Sequence, residues 1–196
     1  MKQQASQCKH RHIWLVALVL AFVIVQNSHG DTIRASSASR DAVVAAVSSA
    51  VTGDIVEVPA GRVRWTSNVT IPDGKSITVQ GAGPNETVIE GGGAFSLGLS
   101  GSRITGFGFI SSGSDFISVS GKGWRVDHCR FENTGNSSVL GVLASSSSYQ
   151  PPPAGLVDHC EFIYAKVLAI GSKDLTGAHI WVEPLGLGTD NAVYGE

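Results

Sequence analysis

Methionine does not occur after residue 1, charged side chains make up only 15% of the chain, and three cysteines are present among 196 residues. Each shortage excludes something. A chain poor in Lys, Glu and Met lacks the usual builders of long amphipathic helices. Three cysteines cannot staple a disulfide scaffold, so burial has to hold the fold. No run of Lys or Arg follows residue 30. Setting aside Lys2, Lys9 and Arg11 leaves 11 basic against 16 acidic side chains, a formal net of −5. That balance argues against a nucleic-acid partner, which needs cations to displace phosphate counterions.

What is there begins with a leader. Behind those three basic residues, Ile13 to Val25 form an unbroken apolar run of 13. A bilayer span needs about 20 residues. The run therefore reads as the hydrophobic region of a signal peptide covering residues 1–30, with Ser28-His29-Gly30 as the cleavage site; an uncleaved anchor is the alternative. The expected product is secreted, monomeric and off the membrane once the leader is gone. Its 166 residues suffice for one domain. Asn68, Asn85 and Asn136 head Asn-X-Ser/Thr triplets and are expected at the surface.

Gly is abundant, with 24 copies, and Ser is clustered, so turns outnumber helix-forming stretches. One helix is expected over about 39–52. Ser39 can cap it, Val43, Val47, Ala50 and Val51 fall on one face, and Gly53 can end it. "DIVEVPAG" then alternates Ile55 and Glu57 with Val56 and Val58, the pattern of a short strand stopped by Pro and Gly. Beyond it, apolar runs of three to six residues are punctuated by Gly, Ser, Asn and Asp.

The chain also repeats itself. "VDHCRF" from Val126 returns as "VDHCEF" from Val157, an offset of 31; "ITGFGF" from Ile104 precedes the first copy by 22, and "ITVQGA" from Ile77 lies 27 earlier. The longest offset contains "SSSSYQPPPAG" (Ser145 to Gly155), an insertion no central strand would tolerate. Removing about nine residues restores the shorter period. A unit of this size cannot bury its own apolar side, so copies must stack rung on rung. The fold expected is all-β, a single-stranded right-handed parallel β-helix with an N-terminal amphipathic capping helix and five or six coils over about 54–196. The last residues read as a further strand without a polar cap, so C-terminal coils are expected to be missing from this chain.

The succession of helix, "TGDIVEVPAGRVRW", "VTIPDGKSITVQGAG", "ETVIEGGG", "RITGFGFISSG" and "WRVDHCRFEN" resembles the opening of the right-handed parallel β-helix proteins of the pectate-lyase-like superfamily. "WRVDHC" also resembles the Trp-X-X-Asp-His stretch of pectate lyases. The resemblance covers nearly all of residues 31–196. It implies a carbohydrate-active or carbohydrate-binding protein whose partner is an extracellular polysaccharide, acidic or plant-type. The two classes of reading are lysis or hydrolysis of a polyuronide and a non-catalytic binding or adhesion module.

The residues with side chains able to carry chemistry lie in the repeat. Val126, Phe131, Val157 and Phe162 should point inward. Cys129 and Cys160 fill the slot Phe107 fills one coil earlier, which fits buried thiols; a disulfide between adjacent rungs is the alternative. Asp127 and Asp158 share one register and His128 and His159 another. Two exposed carboxylates a rung apart are candidates for calcium, the one cofactor considered, or for an acid and base with separated pKa values. The competing reading is that Asp and His serve a turn between strands. For lysis the available cations are Lys122, Arg125, Arg130, Lys166 and Lys173, with Trp124 able to stack on a sugar; hydrolysis would draw paired acids from Asp127, Glu132, Asp158 and Glu161. The catalytic candidates are Asp127, Asp158 and Arg130. The binding candidates are Lys122, Trp124, Arg125, His128, His159 and Glu161.

Overall fold

The computed structural model describes residues 30–99, 101–112, 116–134, 139–145, 154–163, 165–170 and 179–182. Residues 1–29, where a leader is expected, the Asn136 triplet, the Ser- and Pro-rich stretch over 146–153, Lys173 and the last residues lie outside them. So does the Lys166 side chain.

The chain opens on strand β1 (Thr32–Arg34) and helix α1 (Arg40–Ser49), then winds in triplets. The first is β2 (Ile55–Val58), β3 (Gly61–Trp65) and β4 (Val69–Ile71); the second is β5 (Thr78–Gly81), β6 (Thr87–Gly91) and β7 (Phe95–Leu97). The third is β8 (Arg103–Thr105), β9 (Gly108–Ser111) and β10 (Ile117–Val119); the fourth is β11 (Lys122–Asp127), β12 (Arg130–Asn133) and β13 (Val139–Ser145). The fifth is β14 (Ala154–Asp158), β15 (Glu161–Ile163) and β16 (Ala165–Ile170), and β17 (His179–Val182) follows. Like members of each triplet pair in parallel. Sheet A runs β1-β2-β5-β8-β11-β14-β17, sheet B runs β3-β6-β9-β12-β15 and sheet C runs β4-β7-β10-β13-β16. The chain is a parallel β-solenoid, as its period requires.

The helix forms where expected and ends sooner. Ser39 accepts from the Ala42 N–H, and Ala50 already turns extended. Val43, Ala46, Val47 and Ala50 are buried, whereas Val51 is 65% exposed, because the face rotates away once the helical turn stops. Lys75 donates to the Val47 carbonyl at 2.7 Å, supplying from the second coil the cation the helix C-terminus lacks. Buried Asp54 accepts from the N–H groups of Asp31 and Val51, tying β1 to the helix exit.

Inside, one slot per coil builds the core. Val56, Val79, Ile104, Val126 and Val157 stack in sheet A. In sheet B the rings of Phe109, Phe131 and Phe162 lie parallel within 13°, at 5.1 and 5.0 Å between centroids. Stacking of this kind adds about 0.5–1.5 kcal/mol per pair beyond the burial itself. Register agrees with the offsets of 22 and 31, while the offset of 27 is corrected: Val79, not Ile77, pairs with Ile104. A slip of two residues keeps every side chain on its face, so alternation alone could not detect it.

Asn85 is exposed as expected. Asn68 is less free, since its side-chain oxygen accepts the Ala94 N–H.

Candidate functional site

The repeated tetrapeptide makes a corner. In "VDHC", the Val is the last inward residue of a sheet A strand, the Asp faces outward, the His turns the chain, and the Cys begins the next inward phase. Turning requires a left-handed residue, and His128 and His159 take φ of +51° and +52°. The coil below uses Gly106 at the equivalent place, with φ of +75°. Histidine bears a Cβ, so its occupation of this conformation carries strain that Gly106 avoids.

What holds the corner is an arginine from the coil below. Arg103 and Arg125 pair in register in sheet A, as do Asp127 and Asp158. Arg103 donates Nε to Asp127 Oδ1 at 2.7 Å and Nη2 to Oδ2. Arg125 repeats this one coil up, with Nε to Asp158 Oδ1 at 2.9 Å and Nη2 to Oδ2. Each carboxylate also meets its neighbouring imidazole, Asp127 at 2.8 Å from His128 Nδ1 and Asp158 at 2.9 Å from His159 Nδ1. The two rings lie 4.9 Å apart and 5° from parallel, and both are exposed.

Electrostatics follows from this geometry. Burial of Asp127 pushes its pKa up, but the bonds from Arg103 and His128, with both guanidinium charges, outweigh it, and the carboxyl titrates below its ordinary range. Asp158 is lowered chiefly by its bond to Arg125, against a smaller cost of burial. Arg103 is correspondingly raised by Asp127.

Several expectations are corrected here. Asp127 and Asp158 are buried, at 0% and 4% exposure, not the open carboxylates the spacing suggested. Their oxygens are committed to guanidinium and imidazole groups, which leaves neither fitted to hold calcium or to act as acid or base. Among the described residues no group of three or more His, Cys, Asp or Glu is placed to hold a metal ion. The turn reading holds for position, yet the Asp side chains serve arginines and imidazoles as well as shaping a corner.

Trp124 is also corrected, from sugar platform to core. It sits on the inward phase of β11 at 1% exposure, directly opposite Gly155. A Cβ on Gly155 would come within 2.1 Å of the indole, so the second copy of the motif lacks its Trp because the first copy's ring needs the space. Lys122 stays exposed, one residue before a register shift at Gly123.

Arg130 belongs to the outer face of sheet B and bridges Glu132 at 2.8 Å and Glu161 at 3.2 Å. The pair Glu132 and Glu161 is thus gathered on one cation. Cys129 and Cys160 are free, buried thiols on adjacent rungs, donating to the carbonyls of Asp127 and Asp158 at 3.2 and 3.3 Å. Burial, then the neighbouring Cys160, pushes the Cys129 thiol well up.

Sequence reasoning missed Arg103. The signal was present: Arg103-Ile104-Thr105 aligns with Arg125-Val126-Asp127 at the offset of 22.

The outward column that carries the two aspartates extends down sheet A through Thr105, Gln80, Glu57 and Arg34, one residue per coil. Its lower end opens into a pocket of about 260 Å³ lined by Arg34, Glu57, Gln80 and the corner residues Val58 and Pro59. Compared with protein-family models, curated proteins and solved structures, the chain matches none. Function is therefore read from this geometry.

Proposed function

We propose that this chain is a secreted carbohydrate-binding β-helix whose sheet A face holds an extracellular acidic polysaccharide, a polyuronide. The observation that carries the reading is the outward column itself: one polar side chain per coil from Arg34 to Asp158, flanked by the half-exposed guanidiniums of Arg103 and Arg125. Thr105, Asp127 and Asp158 are themselves buried, so the face is presented by Arg34, Glu57 and Gln80 on the lower coils and by the guanidiniums of Arg103 and Arg125 above them, at the rung spacing of about 4.8 Å that suits a ligand that repeats as well. The pocket lies three rungs below Asp127 along the column through Glu57, so a polymer lying on the face would reach both ends. The half-exposed guanidinium of Arg103 supplies a positive charge for carboxylates, and the pectate-lyase-like resemblance of the sequence supports the same class of ligand.

Paired-acid hydrolysis receives less support, because Asp127 and Asp158 are buried and Glu132 and Glu161 share Arg130. The test is affinity electrophoresis of the protein without its leader in gels containing polygalacturonate, alginate or a neutral glucan. Retardation by the uronate polymers alone, relieved by Arg103→Ala, is expected. Equal mobility in all gels would remove this reading.

A further inference from the structure

We propose that removal of the expected leader creates an N-terminus with a docking site waiting for it: the α-ammonium freed at Asp31 pairs with the buried carboxylate of Asp54 and fastens the first strand to the first coil. The proposal shares only the export of the chain with the reading above and does not depend on a polysaccharide.

Three carboxylates are buried among the described residues, Asp54, Asp127 and Asp158, at 5%, 0% and 4% exposure. A charge taken out of water is costly unless an opposite charge comes with it. Asp127 and Asp158 each hold a guanidinium, from Arg103 and Arg125. Asp54 holds two backbone N–H groups instead. Asp31 donates to its Oδ1 at 2.9 Å and Val51 to its Oδ2 at 2.8 Å. Among the described residues no Lys, Arg or His forms an ion pair with it.

One of those two donors is the nitrogen that cleavage would change. Ser28-His29-Gly30 places the scissile bond between Gly30 and Asp31, both of which are exposed. Hydrolysis by an export peptidase adds one water across that bond. Gly30 departs as a carboxylate, and the Asp31 nitrogen takes up a proton to become an ammonium. The nitrogen has no distance to travel, since it already lies within hydrogen-bond reach of Oδ1. A neutral bond becomes a bond between two charges, and charge-assisted bonds are roughly twice as strong as neutral ones. The third buried carboxylate thereby gains the cation that the other two already have.

The place of the pair gives it consequence. Ile55 donates its N–H to the Asp31 carbonyl at 2.9 Å, and β1 continues from there in register on β2. Val51 stands just past the end of α1. Asp54 therefore gathers the start of β1, the exit of the helix and the start of β2. Residue 30 lies so close to Gly53 that a Cβ on it would come within 1.7 Å of the Gly53 carbonyl oxygen. Only Gly can link a leader to a nitrogen held here.

The test has two parts. The full chain is expressed in a secreting host and the mass of the exported protein is measured. A start at Asp31 is expected; a start elsewhere, or retention of the leader, overturns the proposal. Urea unfolding then compares a chain beginning at Asp31 with one beginning at Ser28, in which the Asp31 nitrogen remains an amide, each also as Asp54→Asn. The unfolding constant of the Asp31 chain is expected to be about 10-fold smaller than that of the Ser28 chain. In the Asp54→Asn pair the difference should vanish. Equal stability of the two parents, or a difference that survives Asp54→Asn, overturns the proposal. Should Asp54→Asn fail to fold, the α-amine decides. In the folded Asp31 chain it should react with an acylating reagent severalfold more slowly than in the Ser28 chain, and equal rates count against the pair. None of these results bears on whether the protein binds a polymer.

Discussion

Arg125 stands two residues before Asp127 on the same strand face, yet gives its guanidinium to Asp158, 33 residues on in the next coil. Its Nη2 stays 3.9 Å from Asp127. The diagonal choice leaves Asp127 to Arg103 below, so each arginine clamps the coil above it. The upper clamp, Arg125 on Asp158, binds coil to coil across the Ser- and Pro-rich stretch of the sequence.

Removing one carboxylate should therefore loosen the stack. Asp127→Asn strands a partly exposed guanidinium without its counter-charge and is expected to cost about 1–3 kcal/mol, discounted from a fully buried pair because Arg103 reaches solvent. Urea unfolding of this variant against the parent measures it, and an unchanged midpoint contradicts the clamp.

Acid should act through the same groups. Both aspartates titrate lower in the folded chain than unfolded, so their contribution is complete above the ordinary value of 3.8 and drains away as pH falls through the depressed folded values. Thermal melts from neutral pH downward should steepen below that ordinary value in the parent and flatten in the Asp127→Asn, Asp158→Asn double variant. Parallel curves for the two proteins speak against it.

The corner separates fold from chemistry. His128→Gly and His128→Val both lose the Asp127 contact, but only Gly takes the positive φ without strain, so His128→Val should be less stable than His128→Gly by about 1–2 kcal/mol in urea unfolding. Val as stable as Gly at this position would mean the backbone there is not left-handed.

Packing is exposed to test at Gly155. Its Ala variant drives a methyl into the Trp124 ring, and overpacking of this sort costs about 1–3 kcal/mol. Near-ultraviolet circular dichroism reports the displaced indole, and an unperturbed spectrum with parental stability argues against the Trp124–Gly155 contact.

Much of the fold was legible because one coil's apolar slots must match the next. Val126 over Val157 and Phe131 over Phe162 follow from two copies of a tetrapeptide. The Ile77 register was not legible, since a two-residue slip preserves alternation, and the helix end was not, since Val51 continues the apolar spacing after Ala50 has turned extended. At the site, the shared registers of Asp127 with Asp158 and His128 with His159 could be read, but burial could not. An Asp on an outward phase looks solvated until an arginine two residues earlier in the preceding coil is seen to cover it. Trp124 misled for the opposite reason: the residue that makes room for it, Gly155, lies across the insertion.

The central claim is that coils stack in the register that sets Asp158 on Arg125. A double-mutant cycle on Arg125→Ala and Asp158→Ala, read by urea unfolding, tests it most directly. The account predicts a coupling of about 1–3 kcal/mol, larger than that between Arg125 and Asp127. Strict additivity of the Arg125 and Asp158 substitutions, or stronger coupling to Asp127, would contradict it.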